Sequence, residues 1–337
     1  MDAVRFLNAA QLHQLTNTRP AETKLGQVVL SMDGFSDYAQ AKAAGCRFAV
    51  MGVPEQVGPL ANCGKGGAHQ GWQAFLPIFL NLQANSFLPG DDILLVGELN
   101  CDDLSAGTEL STLRAQCEAL DQRLVNALKP IFAAGLIPIL IGGGHNNAYG
   151  LIRACSECRG EPLAVANLDP HSDFRSMEGR HSGNPFRYAY QQGYLSHYTV
   201  LGLHEQKNSH DALEALEQAG FPWFSIQQLR WRRELSIEQA LSRAGDYLQA
   251  SGQPLGLELD LDAVSELPTS AVTFAGMSLD DALYYVHRLA LLPRVQYLHL
   301  AEGAPVRHPA GLEAGNRVVG QALSELVSAF IKARYRA

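Results

Sequence analysis

The chain has 337 residues, 47% of them hydrophobic, with 34 acidic and 26 basic side chains and a net charge of −8. That composition excludes general disorder, and the acidity leaves no electrostatic footprint for nucleic acid or an anionic membrane. The amino terminus, MDAVRFLNAAQLHQL, lacks the apolar core of a signal peptide, and no run approaches the roughly twenty apolar residues of a membrane span, so the expected location is the cytoplasm.

Residues 1–45 read as an amino-terminal segment packing on a main domain of 46–337. CRFAVMGVP (46–54) predicts a buried strand leaving into a Gly-rich loop, and DDILLVGEL (91–99) a second. A helical pattern runs from about Ser111 to Ala134 and stops at Gly135, before the strand PILIGGG (138–144). Residues 147–158 read as helix and PLAVANLD (162–169) as strand. Of the cysteines only Cys155 and Cys158 form a CxxC pair, and with no second pair they read as reduced, incidental thiols.

Next come a strand at HYTVLGLHE (197–205), a helix from His210, a short strand at PWFSI (222–226) and a helix opened by the capping box Ser236–Gln239. PLGLELDLD (254–262) is a strand, Ser278 with Asp281 opens a helix ending near Pro293, VQYLHLAEG (295–303) is a strand, and 314–334 a final helix. Near-continuous apolar strands alternating with helices predict one three-layer α/β/α domain around a doubly wound, mostly parallel sheet. A closed (β/α)₈ barrel is the rival.

Four strand ends carry metal-binding side chains, where such folds put their sites. GGGHNN places His145 after the strand 138–144, although a loop histidine with a structural hydrogen bond fits that segment equally well. In NLDPHSDFR, Asp169, His171 and Asp173 alternate, so an extended segment would point all three one way; three such groups together repel or lose solvation without a cation. In LELDLDAV, Asp260 and Asp262 share one parity with Glu258, which could instead form a salt bridge. Glu302 in HLAEGAP follows the last strand and is either a site residue or a solvated turn residue. Carboxylates with some imidazole and no thiolate suit manganese or another borderline divalent ion rather than structural zinc, and they point to hydrolysis by activated water.

The ordered segments GGGHN, DPHSD, SGNPF, DLD and the late glutamate resemble the ureohydrolase family, which includes arginase, agmatinase and formimidoylglutamase. NCGKGGAHQGW (62–72) resembles that family's segment after its first strand. The resemblance implies two manganese ions per subunit, one held by His145, Asp169, Asp173 and Asp260, the other by Asp169, His171, Asp260 and Asp262. It further implies that Glu302 orients an amidine or guanidine substrate, that Asp173 passes a proton to the departing nitrogen, and that the chain forms homo-oligomers.

Three departures from arginase bear on the substrate. Gly144 stands where arginases carry an aspartate, Phe186 where they carry a proton-shuttling histidine, and Lys207 where they carry an acid. The GGGH and SG-x-PF forms look more like formimidoylglutamase. A dicarboxylate substrate needs cationic and donor groups, for which Arg175, Ser182, Asn184, Arg187 and Lys207 are candidates; either arginine could instead pair with a surface acid. The expected reaction converts N-formimidoyl-L-glutamate and water to L-glutamate and formamide. The alternatives are a guanidino-compound hydrolase that releases urea and a non-catalytic metal-binding scaffold.

Overall fold

The computed structural model describes residues 3–104 and 109–337; residues 1–2, at the start of the amino-terminal segment, lie outside the described residues. Among the described residues ten strands form one sheet: β1 (Val4–Phe6), β2 (Leu30–Ser31), β3 (Phe48–Gly52), β4 (Ile93–Leu99), β5 (Ile137–Ile141), β6 (Leu163–Leu168), β7 (Leu195–Leu203), β8 (Trp223–Ser225), β9 (Leu255–Asp260) and β10 (Val295–Ala301). Their order is β1-β4-β3-β5-β10-β9-β6-β7-β8, with β2 also on β4. Only β1 runs antiparallel to its neighbour. The ends of this order do not pair with each other, so the sheet is open and the barrel is excluded.

Every residue of β3, β6 and β9 is buried, because a parallel strand covered on both sides has no solvent face. Alternate residues serve opposite layers. Phe48, Val50 and Leu257 join one core beneath the helices Gly71–Leu80, Ile237–Ala250, Leu279–Ala290 and Leu312–Arg334. Ala49, Met51 and Val165 join the other, beneath Leu110–Ala133, Asn147–Arg159 and His210–Gln218. The result is a single α/β/α domain. The capping boxes at Ser236 and Ser278 are both present, each hydroxyl accepting from the backbone three residues on.

The helices Ala9–Leu15, Tyr38–Ala43, Val57–Ala61, Gly71–Leu80 and Pro185–Gln191 had no counterpart in the sequence pattern. Gly71–Leu80 shows why: it begins at glycine and contains Pro77, yet Phe75 stacks on Phe79 at 4.9 Å inside the core. Packing there overrides a poor intrinsic propensity. At the amino end, β1 pairs with β4 and Leu12 reaches the core. Cys155 and Cys158 fall in the carboxyl-terminal half of Asn147–Arg159, and both are free thiols. Among the described residues no helix is long and apolar enough to cross a membrane.

Candidate metal centre

β5, β10, β9 and β6 are consecutive neighbours in the sheet although β5 and β10 lie far apart in the chain. Their carboxyl ends therefore deliver His145, Glu302, Asp260 and Asp169 to one edge. Two strands stop earlier than the alternation implied. β6 ends at Leu168, and β9 ends at Asp260 with Leu261–Ala263 in a 3₁₀ turn. The acidic groups therefore meet through turns rather than strand parity. Within those turns the His171 amide donates to Asp169 Oδ1 at 2.7 Å and the Asp262 amide to Asp260 Oδ1 at 2.7 Å. Asp173 and Glu302 adopt left-handed backbone at φ 46° and 68°, a conformation costly for non-glycine residues and concentrated at functional sites. Glu302 is locked there by two contacts: its amide donates to Gly143 O at 2.9 Å, and its Oε1 accepts from the His145 amide at 2.9 Å.

Ligand-capable atoms of His145, Asp169, Asp173 and Asp260 all lie within 4.8 Å of one another. His145 Nδ1 is 3.1 Å from Asp169 Oδ2, 2.9 Å from Asp173 Oδ2 and 3.4 Å from Asp260 Oδ2. On the other side, His171 Nδ1 is 3.4 Å from Asp169 Oδ1 and 3.9 Å from Asp262 Oδ2. The two oxygens of Asp169 thus face two different histidines.

The electrostatics are those of a largely buried anion cluster. Burial and the charge of Asp169 push Asp173 up to about 6, and burial and Asp262 push Glu302 up to about 8. Burial, with Asp262 and Asp169, raises Asp260 far above the usual carboxylate range. Burial opposes ionisation of Asp169 as well, but hydrogen bonds from His145 and His171 overcome it and hold this carboxyl low. Burial disfavours a charged His171, yet Asp169 lifts it to about 9. Glu302 Oε2 is buried with no partner among the described residues. Clustered carboxylates with paired imidazoles and a spare buried oxygen fit hard or borderline divalent cations, which would neutralise the repulsion.

Behind this layer sit groups that sequence reading did not assign. Glu55 Oε1 accepts from the Gly144 amide at 2.6 Å and from Asn147 Nδ2 at 2.8 Å, and Oε2 accepts from the Gly58 amide at 3.2 Å. It pins the loop that carries His145. Glu258 lies 3.4 Å from His145 Nε2, 2.6 Å from His299 Nδ1, and accepts from the Tyr297 hydroxyl at 2.8 Å. Its same-face parity with Asp260 was legible, whereas its cross-strand partner His299 was not. Gly144 has no room for a side chain: a Cβ there would lie 2.2 Å from Pro59 Cδ. Phe186 is fully buried, edge-on to His145 at 5.3 Å and stacked on Tyr198 at 4.3 Å.

A cavity of about 610 Å³ opens over the cluster, lined by His171, Asp173, Asp260, Asp262 and Glu302. Arg175, Ser182 and Lys207 also line it, along with Asn62, whose Oδ1 accepts from Arg175 at 2.6 Å. Two substrate candidates are placed elsewhere. Asn184 is wholly buried, its amide donating to the Gly179 and Ser176 carbonyls and its oxygen accepting from Arg180 at 2.6 Å. Arg187 pairs with Asp211 at 2.9 Å and lies over the Phe174 ring, outside the cavity lining. Asn184 ends the SGN segment as the N-cap of the helix Pro185–Gln191, and Arg187 lies within that helix, which carries its side chain away from the cavity.

A family model described as "Arginase family" matches residues 46–326. The formimidoylglutamase of Corynebacterium efficiens is 27% identical over 62% of this chain, and the aligned segment spans just under two-thirds, 66%, of that protein. Among solved structures, the formimidoylglutamase of Bacillus subtilis superposes with a TM-score of 0.77 at 17% identity, covering 95% of each chain. The Trypanosoma cruzi formiminoglutamase with Mn²⁺ superposes at 0.74 and 18% identity, covering 92% of this chain and 98% of that one. At such identities these structures speak for the fold.

Proposed function

Because the chain belongs to the arginase family of metal-dependent hydrolases, we propose that it holds two manganese ions and hydrolyses N-formimidoyl-L-glutamate to L-glutamate and formamide. The carrying observation is the split of Asp169, with Oδ2 at 3.1 Å from His145 and Oδ1 at 3.4 Å from His171. One carboxylate so placed serves two overlapping ligand sets. His145, Asp169, Asp173 and Asp260 would hold one ion; Asp169, His171, Asp260 and Asp262 would hold the other. Bound there, the ions would supply charge neutralisation and a water of lowered pKa.

The chain's own residues account for the remainder. Glu302, buried and facing the cavity, would accept hydrogen bonds from the planar cationic amidine and fix its carbon over the cluster. Asp173, which lines the cavity, would pass a proton to the α-nitrogen as the carbon–nitrogen bond breaks. Water adds across that bond, so the carbon leaves as formamide and the nitrogen remains on glutamate. Arg175, Asn62 and Ser182 on the wall would bind the neighbouring carboxylate. Arginine and agmatine, which carry a second amino cation, make worse matches, since Lys207 and Arg175 line the cavity. Support for the substrate comes from this charge pattern and from the relatives that carry the formimidoylglutamase name.

The test is metal analysis with a product assay on manganese-loaded protein. Formamide from formimidoylglutamate, with two ions per chain, is expected. Urea from a guanidino compound without formamide would overturn the substrate, and bound metal without any turnover would favour the scaffold reading.

A further inference from the structure

Beside the main cavity lies a second of about 580 Å³. The two share His171, Lys207, Ser270 and Ala271, so they adjoin at a proposed metal ligand. Lys65 and Arg307 also line the second cavity, and none of its lining residues is acidic. In a chain of net charge −8, next to a cluster of buried carboxylates, an acid-free wall with three cations is a strong local reversal. Arg187, by contrast, is paired with Asp211 away from the cavity, and Arg175 has Glu178 3.2 Å from one of its terminal nitrogens. Among the described residues no carboxylate pairs with Lys65, Lys207 or Arg307 in this way.

The two outer cations are held together. Arg307 Nε donates to Gly66 O at 2.9 Å, which ties the turn Pro305–Arg307 to the loop bearing Lys65 and leaves the terminal guanidinium nitrogens for a ligand. Gly67, at φ 130°, packs so closely on that turn that a Cβ would come 2.9 Å from Ala304 Cβ and from Val306 Cγ1. A guanidinium anchored through Nε presents its outer edge as a fork for a carboxylate.

We propose that this second cavity is the subsite for the substrate carboxylate farther from the amidine, anchored by Lys65 and Arg307 with Lys207 at the junction. The inference rests on the amidine-hydrolase reading and adds a specificity for dicarboxylates. Arg175 would take the nearer carboxylate and the second cavity the distal one, so a substrate with one carboxylate would forgo half of the recognition.

The test is the double variant Lys65→Ala/Arg307→Ala; both residues are exposed, and an unchanged melting temperature checks the fold. KM for N-formimidoyl-L-glutamate should rise about tenfold, the cost of roughly one charge-assisted contact, while kcat changes less than twofold. KM for N-formimidoylglycine, which lacks the distal carboxylate, should change less than twofold. Equal losses for both substrates, or an unchanged KM for the dicarboxylate, would overturn the subsite while leaving the reaction standing. A second measurement separates the two ideas: calorimetric binding of L-glutamate to manganese-loaded protein should weaken about tenfold in the double variant. If wild-type protein bound glutamate in this way but hydrolysed no formimidoyl compound, the subsite would stand and the proposed reaction would fall. Glutamate affinity unchanged by the double substitution would overturn the subsite.

Discussion

Chelating the divalent ions should make the stability of the protein fall as pH rises, and restoring them should remove that dependence. Asp173 sits at about 6 against an ordinary 3.8, and Glu302 at about 8 against 4.5. Both are acids with raised folded-state pKa values, so the folded chain binds more protons than the unfolded one. Their contribution is complete below the ordinary carboxylate range and is lost as pH climbs through about 6 and then about 8. His171, raised from 6.5 to about 9, acts in the same direction. Asp169 is depressed and has the opposite sign, but its transition lies below the ordinary 3.8 and outside the window. At about 1.4 kcal/mol per pH unit, most of the Glu302 contribution and the tail of that from Asp173 disappear between about pH 5.5 and 8.5, on the order of 4 kcal/mol. With an unfolding entropy near 2.1 cal/mol/K per residue, that is a drop in Tm of about 6 °C. Metal binding should strengthen over the same range, because the ions prefer ionised ligands. Scanning calorimetry on chelated and manganese-loaded protein should therefore show a Tm gap that widens with pH. A gap that stayed constant or narrowed would refute the charge-cluster account.

Glu258→Gln keeps the volume but removes the charge behind His145 and His299, and manganese affinity should fall roughly 10- to 100-fold in a metal titration. Gly144→Asp would force a side chain against Pro59 and Asn146; the expected loss is about 1–3 kcal/mol in denaturant unfolding, and unchanged stability would mean the loop has room. Arg180→Ala should be the most destabilising, by about 3–5 kcal/mol, since it strands the buried Asp121 carboxylate 2.7 Å away. Its far-ultraviolet melt should show the loss.

Much of the centre could be read in one dimension because its parts are local. Asp169, His171 and Asp173 lie within five residues of one another, and Asp260 and Asp262 within three, so their chemistry is visible wherever the chain goes. The apolar runs of β3, β6 and β9 and the two serine capping boxes are equally local, since burial on both faces and a terminal hydrogen bond each leave a short pattern. Element length limited the rest: β1 has three residues and β2 two, too few for any periodicity. The alternation argument reached the right neighbourhood by the wrong route, because the strands end at Leu168 and Asp260 and turns complete the convergence.

What local sequence determined by itself is the inventory of donors, the alternating α/β order and the strand ends that carry them. Only the tertiary structure decided which distant groups meet. Arg180 pairs with Asp121 across 59 residues, Arg307 meets the Lys65 loop across 241, and Asn184 and Arg187 turn away from a cavity they follow closely in sequence. The reason is physical: pairings across the sheet are selected by packing free energy summed over the whole core, and no short window of residues contains that sum.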